Sequence, residues 1–137
     1  MGQQQLLLVI LMTILIGIAT IVAMHFLSAR AEQANRDAVR QDILSAAANA
    51  QSYYIRPVSR DGGDGDFDQL ELEHLGLPGR IDGDQVINDN GVYSISEPDE
   101  SSFEIQANPA SSNNVITATI SIDNDDQYQI DWNGDGD

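Results

Sequence analysis

The chain has no cysteine, so no disulfide framework holds its fold, and thiolate catalysis and cysteine-ligated metals are excluded. It has no lysine either: its six basic residues are all Arg, set against 22 acidic residues, for a formal net charge of −16. Nucleic acid is therefore not an expected partner, because its phosphates repel such a surface, and an anionic membrane surface is disfavoured for the same reason. Acidity without lysine is the composition of a protein kept soluble in strong brine, where salt screens self-repulsion, and the chain reads as halophilic. There is no phosphate-binding glycine loop and no Ser with a His at useful spacing. His25 and His74 read as packed or surface side chains, and no enzymatic activity is expected. No N-x-S/T sequon occurs. Finally, no proline precedes Pro57, so nothing breaks a helix before that point.

What is present begins with an apolar run. From Leu6 to Leu27 the chain reads LLLVILMTILIGIATIVAMHFL, 22 residues without a formal charge. A run of roughly 18 or more apolar residues is long enough to cross a bilayer as a helix, and a domain of this size cannot bury it. Beyond it, Val39, Ile43, Ala46, Ala50 and Tyr54 recur at helical spacing and form one apolar stripe. The residue before a proline is pushed out of helical geometry, so the helix is expected to end near Arg56, just before Pro57. At about 1.5 Å per residue, such a helix would be on the order of 80 Å long.

Charge divides along the same line. Residues 1–56 hold four Arg and three acids, whereas residues 57–137 hold two Arg and 19 acids. Residues 57–91 read as a loop-rich connection, opening on Ser59-Arg60-Asp61-Gly62-Gly63-Asp64-Gly65-Asp66, with a short helix expected at 67–75. From Gly91 the apolar period changes to two: Tyr93 and Ile95; Phe103, Ile105 and Ala107; Ile116, Ala118, Ile120 and Ile122; Tyr128, Ile130 and Trp132. That pattern predicts four strands with one apolar face, joined by short turns as an antiparallel meander. The expected fold is α+β: a long N-terminal helix, hydrophobic over 1–28 and amphipathic over 29–56, an αβ-loop over 57–91, and a four-stranded sheet with an acidic tail over 92–137. The second half of the helix supplies the cover that a one-sided sheet needs.

That order of elements, together with Met1-Gly2-Gln3-Gln4-Gln5-Leu6-Leu7-Leu8-Val9-Ile10, resembles the type IV pilins and type II secretion pseudopilins. Pilins begin on Met or an aromatic residue, carry Glu at the fifth position and continue as a Leu/Val/Ile-rich helix. Gln5 stands where the family has that Glu and offers hydrogen bonds without charge. Val22 stands near where many pilins carry a proline, leaving Gly17 and Thr20 to loosen the helix. The resemblance implies a pilin-like fold. It also implies a precursor in the inner membrane that meets pilus or secretion machinery, then an extracellular or cell-surface filament of identical subunits. A basic leader would be removed to leave Met1 as a processed, N-methylated terminus. The assembly residues it implies are Met1, Gln5, Leu6, Leu7, Leu8, Ile10, Leu15, Ile16 and Gly17. The alternative is a single-pass membrane anchor carrying an acidic extracytoplasmic module that binds cations or a basic partner.

Calcium is the one candidate cofactor, and none is required. Asp131-Trp132-Asn133-Gly134-Asp135-Gly136-Asp137 matches the opening of an EF-hand-type loop, with oxygen ligands at Asp131, Asn133, Asp135 and Asp137 and glycine at the sharp turn. As written, the chain has no acid at the twelfth position of such a loop. Further ligands are expected from the preceding turn, at Asp123, Asp125 and Asp126. Asp61, Asp64, Asp66 and Asp68 form a weaker second cluster. The resemblance supports the first site, because some pseudopilins are stabilised by calcium near the end of their sheet.

Overall fold

The structure, a computed structural model, describes residues 2–96 and 98–133. One helix, α1, runs over Gly2–Ile55. Six strands follow: β1 (Arg80–Asp82), β2 (Gln85–Ile87), β3 (Gly91–Ser96), β4 (Ser102–Pro109), β5 (Ile116–Ile122) and β6 (Tyr128–Asn133). They form one sheet in sequence order, every neighbouring pair antiparallel. The α+β class, the long helix and the antiparallel meander follow the sequence pattern. The chain separates into two compact units, Met1–Ala34 and Asn35–Asp137.

The four-strand expectation is corrected to six. Residues 80–82 and 85–87 pair as a hairpin across Gly83, which adopts a left-handed φ of 62°, and β2 then pairs with β3. Strands of three residues carry too few alternations to register as a period of two, and β1 buries none of its residues. The helix expected at 67–75 is likewise reduced to a single 3₁₀ turn, Leu72–Leu75, closed by Gly76 in the left-handed region.

The second unit packs its stretch of α1 on the sheet. Val39, Ile43, Ala46, Ala47, Ala50 and Tyr53 are buried along one side of the helix. They join Tyr93, Phe103, Ile105, Ala107, Ile116, Ala118 and Ile120 from the sheet in one core. Large and small residues face each other across the strands: Tyr93 opposite Ala107, Ile105 opposite Ala118 and Ala118 opposite Trp132. That alternation lets the alanines of the helix approach closely without leaving voids. Phe67, from the connection, stacks against Tyr54 and Phe103 with ring centroids at 4.8 and 5.0 Å and closes the core at one end.

Helix ends leave backbone carbonyls without partners, and here the Gly-Asp loop supplies them. The amide N–H groups of Gly63, Asp64 and Gly65 donate to the carbonyls of Tyr53, Arg56 and Tyr54 at 2.9, 2.9 and 2.7 Å. The backbone must lie so close that a Cβ on Gly62 would stand 2.1 Å from the Arg56 carbonyl oxygen. Gly62 and Gly63 therefore have a packing reason independent of any ligand.

Candidate functional site

The exposed apolar helix is the feature with no explanation inside its own unit. Every large hydrophobic side chain from Leu6 to Leu27 is exposed, from Ile10 and Val22 at 48% to Leu27 at 71%. At 100° per residue, Leu6, Leu7 and Leu8 already point to three sides, so the apolar surface runs all round the helix. A helix of that kind is stable when surrounded by lipid or by protein. Its two threonine hydroxyls are satisfied within the helix: Thr13 and Thr20 donate to the carbonyls of Val9 and Ile16, both at 2.8 Å. Neither therefore exposes an unsatisfied donor to an apolar surrounding. Of the residues expected to carry assembly, Gln5, Leu6, Leu7, Leu8, Ile10, Leu15, Ile16 and Gly17 all lie exposed on this segment. A Cβ added at Gly17 would meet nothing within 4 Å, so the chain's own packing does not require glycine there. Met1 lies outside the described residues. Among the described residues, α1 is the one helix long and apolar enough to cross a membrane, which makes it a candidate membrane anchor.

Among the described residues, the expected cation ligands are mostly exposed. Asp61, Asp64 and Asp68 are exposed and Asp66 is half-buried. Asp61 caps the turn Val58–Arg60 from the left-handed region, and its carboxylate lies 3.4 Å from His74 Nε2. Asp66 Oδ1 accepts the amide of Asp68 at 2.7 Å. Asp131 and Asn133 share the outer side of β6, facing Thr119 and Thr117 of β5. The turn with Asp123, Asp125 and Asp126 stands at the Ile122–Tyr128 end of that hairpin, whereas Asn133 stands at the Thr117 end. Five residues of strand separate Tyr128 from Asn133, about 16 Å at 3.3 Å each. The turn acids and Asn133 are therefore too far apart for one ion. Asp123 instead closes its own turn, its Oδ1 accepting the amides of Asp125 and Gln127 at 2.9 Å each. Asp135 and Asp137 lie outside the described residues. Among the described residues, no three His, Asp or Glu side chains converge to hold a metal.

Sequence reasoning missed a polar clasp between α1 and the sheet. Asp42 Oδ2 accepts the Tyr93 hydroxyl at 2.6 Å, Asn90 Nδ2 at 2.8 Å and Asn88 Nδ2 at 3.2 Å. Asn35 accepts from both the amide and the hydroxyl of Ser111 and donates to the Asn90 carbonyl at 2.9 Å. Asn49 donates to the Leu75 carbonyl at 2.7 Å, and the Tyr128 hydroxyl donates to the Ala47 carbonyl. Burial, with the neighbouring Asp42 carboxylate adding to it, pushes the Tyr93 phenol well above its ordinary range. Burial alone does the same for Tyr128. The one available signal was the position of Asp42, directly before the buried Ile43. Its three partners lie 46 to 51 residues away, beyond any local pattern.

The Asp99 carboxylate is held below its usual range chiefly by the amide of Ser101, with Ser102 also donating, in an exposed turn between β3 and β4. Compared with family models, with curated proteins and with solved structures, the chain matches none of them.

Proposed function

We propose that this protein is a structural subunit of an extracellular, type IV pilus-like filament, assembled by packing of its apolar N-terminal helices. One observation carries the reading: the exposed, all-round apolar surface from Leu6 to Leu27, on the same α-helix whose later residues hold an α+β head. Lipid covers such a surface before assembly, and the equivalent segments of neighbouring copies cover it afterwards. Large apolar side chains contribute about 1.5–3 kcal/mol each on burial from water, although extraction from lipid offsets much of that sum. Contacts between different patches on successive copies do not close, so they propagate a fibre. Met1, Gln5, Leu6, Leu7, Leu8, Ile10, Leu15, Ile16 and Gly17 are the residues assigned to that packing. Calcium is the cation proposed for the acidic C-terminal stretch.

A single-pass anchor bearing an acidic module for cations or a basic partner is the second reading. It is favoured by the length and apolarity of the same helix. Electron microscopy of material sheared from cells and pelleted in high salt, with intact mass of the pelleted chain, separates the two. Thin fibres of this protein without detergent support the filament. Retention of all the protein in membranes, with no fibres, leaves the anchor.

A further inference from the structure

The sequence holds two Asn-Gly dipeptides, Asn90-Gly91 and Asn133-Gly134. Asparagine is a chemically labile residue, and most so before glycine, which has no side chain to keep its backbone nitrogen away from the preceding side-chain carbonyl. At 90–91 the fold itself calls for both residues. A Cβ on Gly91 would stand 2.3 Å from the Asn108 carbonyl oxygen, across the β3–β4 ladder, so position 91 admits only glycine. Position 90 presents a donor to α1: Asn90 Nδ2 reaches Asp42 Oδ2 at 2.8 Å. An aspartate at 90 would have the same size and, when ionised, nothing to donate.

The same contacts hold the dipeptide in place. The amides of Asn90 and Gly91 both donate to Asn88 Oδ1, at 2.8 and 3.1 Å. The Asn90 carbonyl accepts from Asn35 Nδ2 at 2.9 Å and from the Ala110 amide at 2.8 Å. Gly91 is buried and Asn90 half-buried. Attack of the Gly91 nitrogen on Asn90 Cγ needs a turn of the Asn90 side chain and release of the Gly91 N–H from Asn88. These bonds oppose both movements. Two of the ties, to Asp42 and from Asn35, belong to α1, so the restraint lasts only while the helix lies on the sheet.

We propose that Asn90-Gly91 is a deamidation site latched by α1: it stays intact while helix and sheet are clasped and reacts when they part. Water is the only co-reactant. The Gly91 nitrogen bonds to Asn90 Cγ as the Cγ–Nδ2 bond breaks; the Gly91 amide proton is given up, and Nδ2 leaves with a proton as ammonia. Water then opens the cyclic imide at either carbonyl. Cleavage at Cγ gives aspartate at 90, and cleavage at the backbone carbonyl gives an isoaspartyl link that lengthens the main chain ahead of β3. Either product sets a carboxylate where a donor faced Asp42, and two like charges at that distance oppose re-closure. The longer link also disturbs the register of β3 against β4. The step runs one way, so a head that has opened keeps the mark. Nothing in this chemistry depends on a filament.

Peptide mapping by mass spectrometry tests this on the full-length protein in detergent micelles, incubated at mildly alkaline pH with and without enough urea to unfold the head. Asn133-Gly134 is the reference for the unrestrained chemistry in urea. There, Asn90 is expected to deamidate alongside Asn133. Without urea it is expected to be slower by about tenfold or more, because the packed helix must first open. Asp42→Ala is expected to bring the rate at Asn90 without urea most of the way to the urea value. If circular dichroism shows that variant unfolded, Asn35→Ala, which removes the other tie to α1, is read in its place. An Asn90 that reacts as fast folded as in urea overturns the inference. So does an Asn90 that stays intact in urea while Asn133 reacts, or a rate left unchanged by loss of the tie. Asn90→Asp is expected to lower the urea midpoint of the head, and an undiminished midpoint overturns the one-way character of the step.

Discussion

Residues 2–34 and 35–55 are consecutive stretches of one α-helix, and they treat their apolar side chains in opposite ways. In the first, Leu6, Ile16 and Phe26 each expose more than half of their surface. In the second, Val39, Ile43, Ala46 and Ala50 expose none. Helix propensity does not separate them, since the first is rich in Leu and the second in Ala, both good helix formers. The difference lies in distribution. Apolar residues confined to one side can be covered by a sheet in the same chain, whereas residues spread all round can be covered only by many neighbours or by lipid. The first stretch leaves its large apolar side chains exposed, and the second buries one stripe of them in the core of its own unit.

The sharpest way to break this comparison is to place one charge on each stretch's apolar surface and read different properties. Ile16→Asp is expected to have the largest effect. An Asp at the centre of an apolar helix costs about 2.5–3.5 kcal/mol in a membrane, and a comparable penalty at every repeat abolishes fibres. The unfolding midpoint of the head, read in the full-length variant, stays unchanged, because Ile16 lies outside the unit Asn35–Asp137. Fibres sheared from the variant in normal yield would sink the packing account.

Phe103→Ala tests the other side. It removes a ring buried against Phe67 and is expected to cost the head about 3–5 kcal/mol in denaturant unfolding. If the head unfolds no more easily, the core has been misassigned.

A smaller effect sharpens the account of how α1 is clasped to the sheet. Tyr93 and Tyr128 have pKa values raised above the 10.0 of a free phenol. Above that pH the unfolded chain loses these protons first, so their contribution is complete below pH 10.0 and declines as the pH rises. Tyr128→Phe should flatten the alkaline limb of a stability–pH curve, and an unchanged limb would remove burial of the phenol as its cause.

The smallest effect belongs to Asp99, whose carboxyl is depressed by amides in an exposed turn. Its contribution is present above the unfolded value of 3.8 and is lost as the pH falls through the folded one. Solvent screening limits it, so Asp99→Asn is expected to cost about 0.5 kcal/mol at neutral pH. Chemical denaturation at pH 7 and pH 3 reads the difference, which should shrink at the lower pH.

Much of this architecture was legible in order of residues alone. The burial of Val39, Ile43, Ala46 and Ala50, and the strands around Tyr93, Phe103, Ile116 and Tyr128, follow the helical and two-residue periods closely. Tyr53 rather than Tyr54 completes the buried stripe, with Tyr54 turned towards Phe67. The hairpin of β1 and β2 was not legible, because three residues per strand are too few for a period to show. The carboxylates near Gly62 read as ligands for an ion. In the structure the backbone beside them closes the end of α1.

Sequence by itself determined the division of labour along the helix and the one-sided character of β3 to β6. Both are carried by residues close together in the chain, where side-chain spacing and backbone geometry leave little choice. Only the tertiary structure decided the partners of Asp42, the cap at Tyr53 to Arg56 and the separation of Asn133 from the Asp123 turn. Those depend on how distant segments meet. A hydrogen bond across 46 to 51 residues leaves no mark on the local pattern of either end.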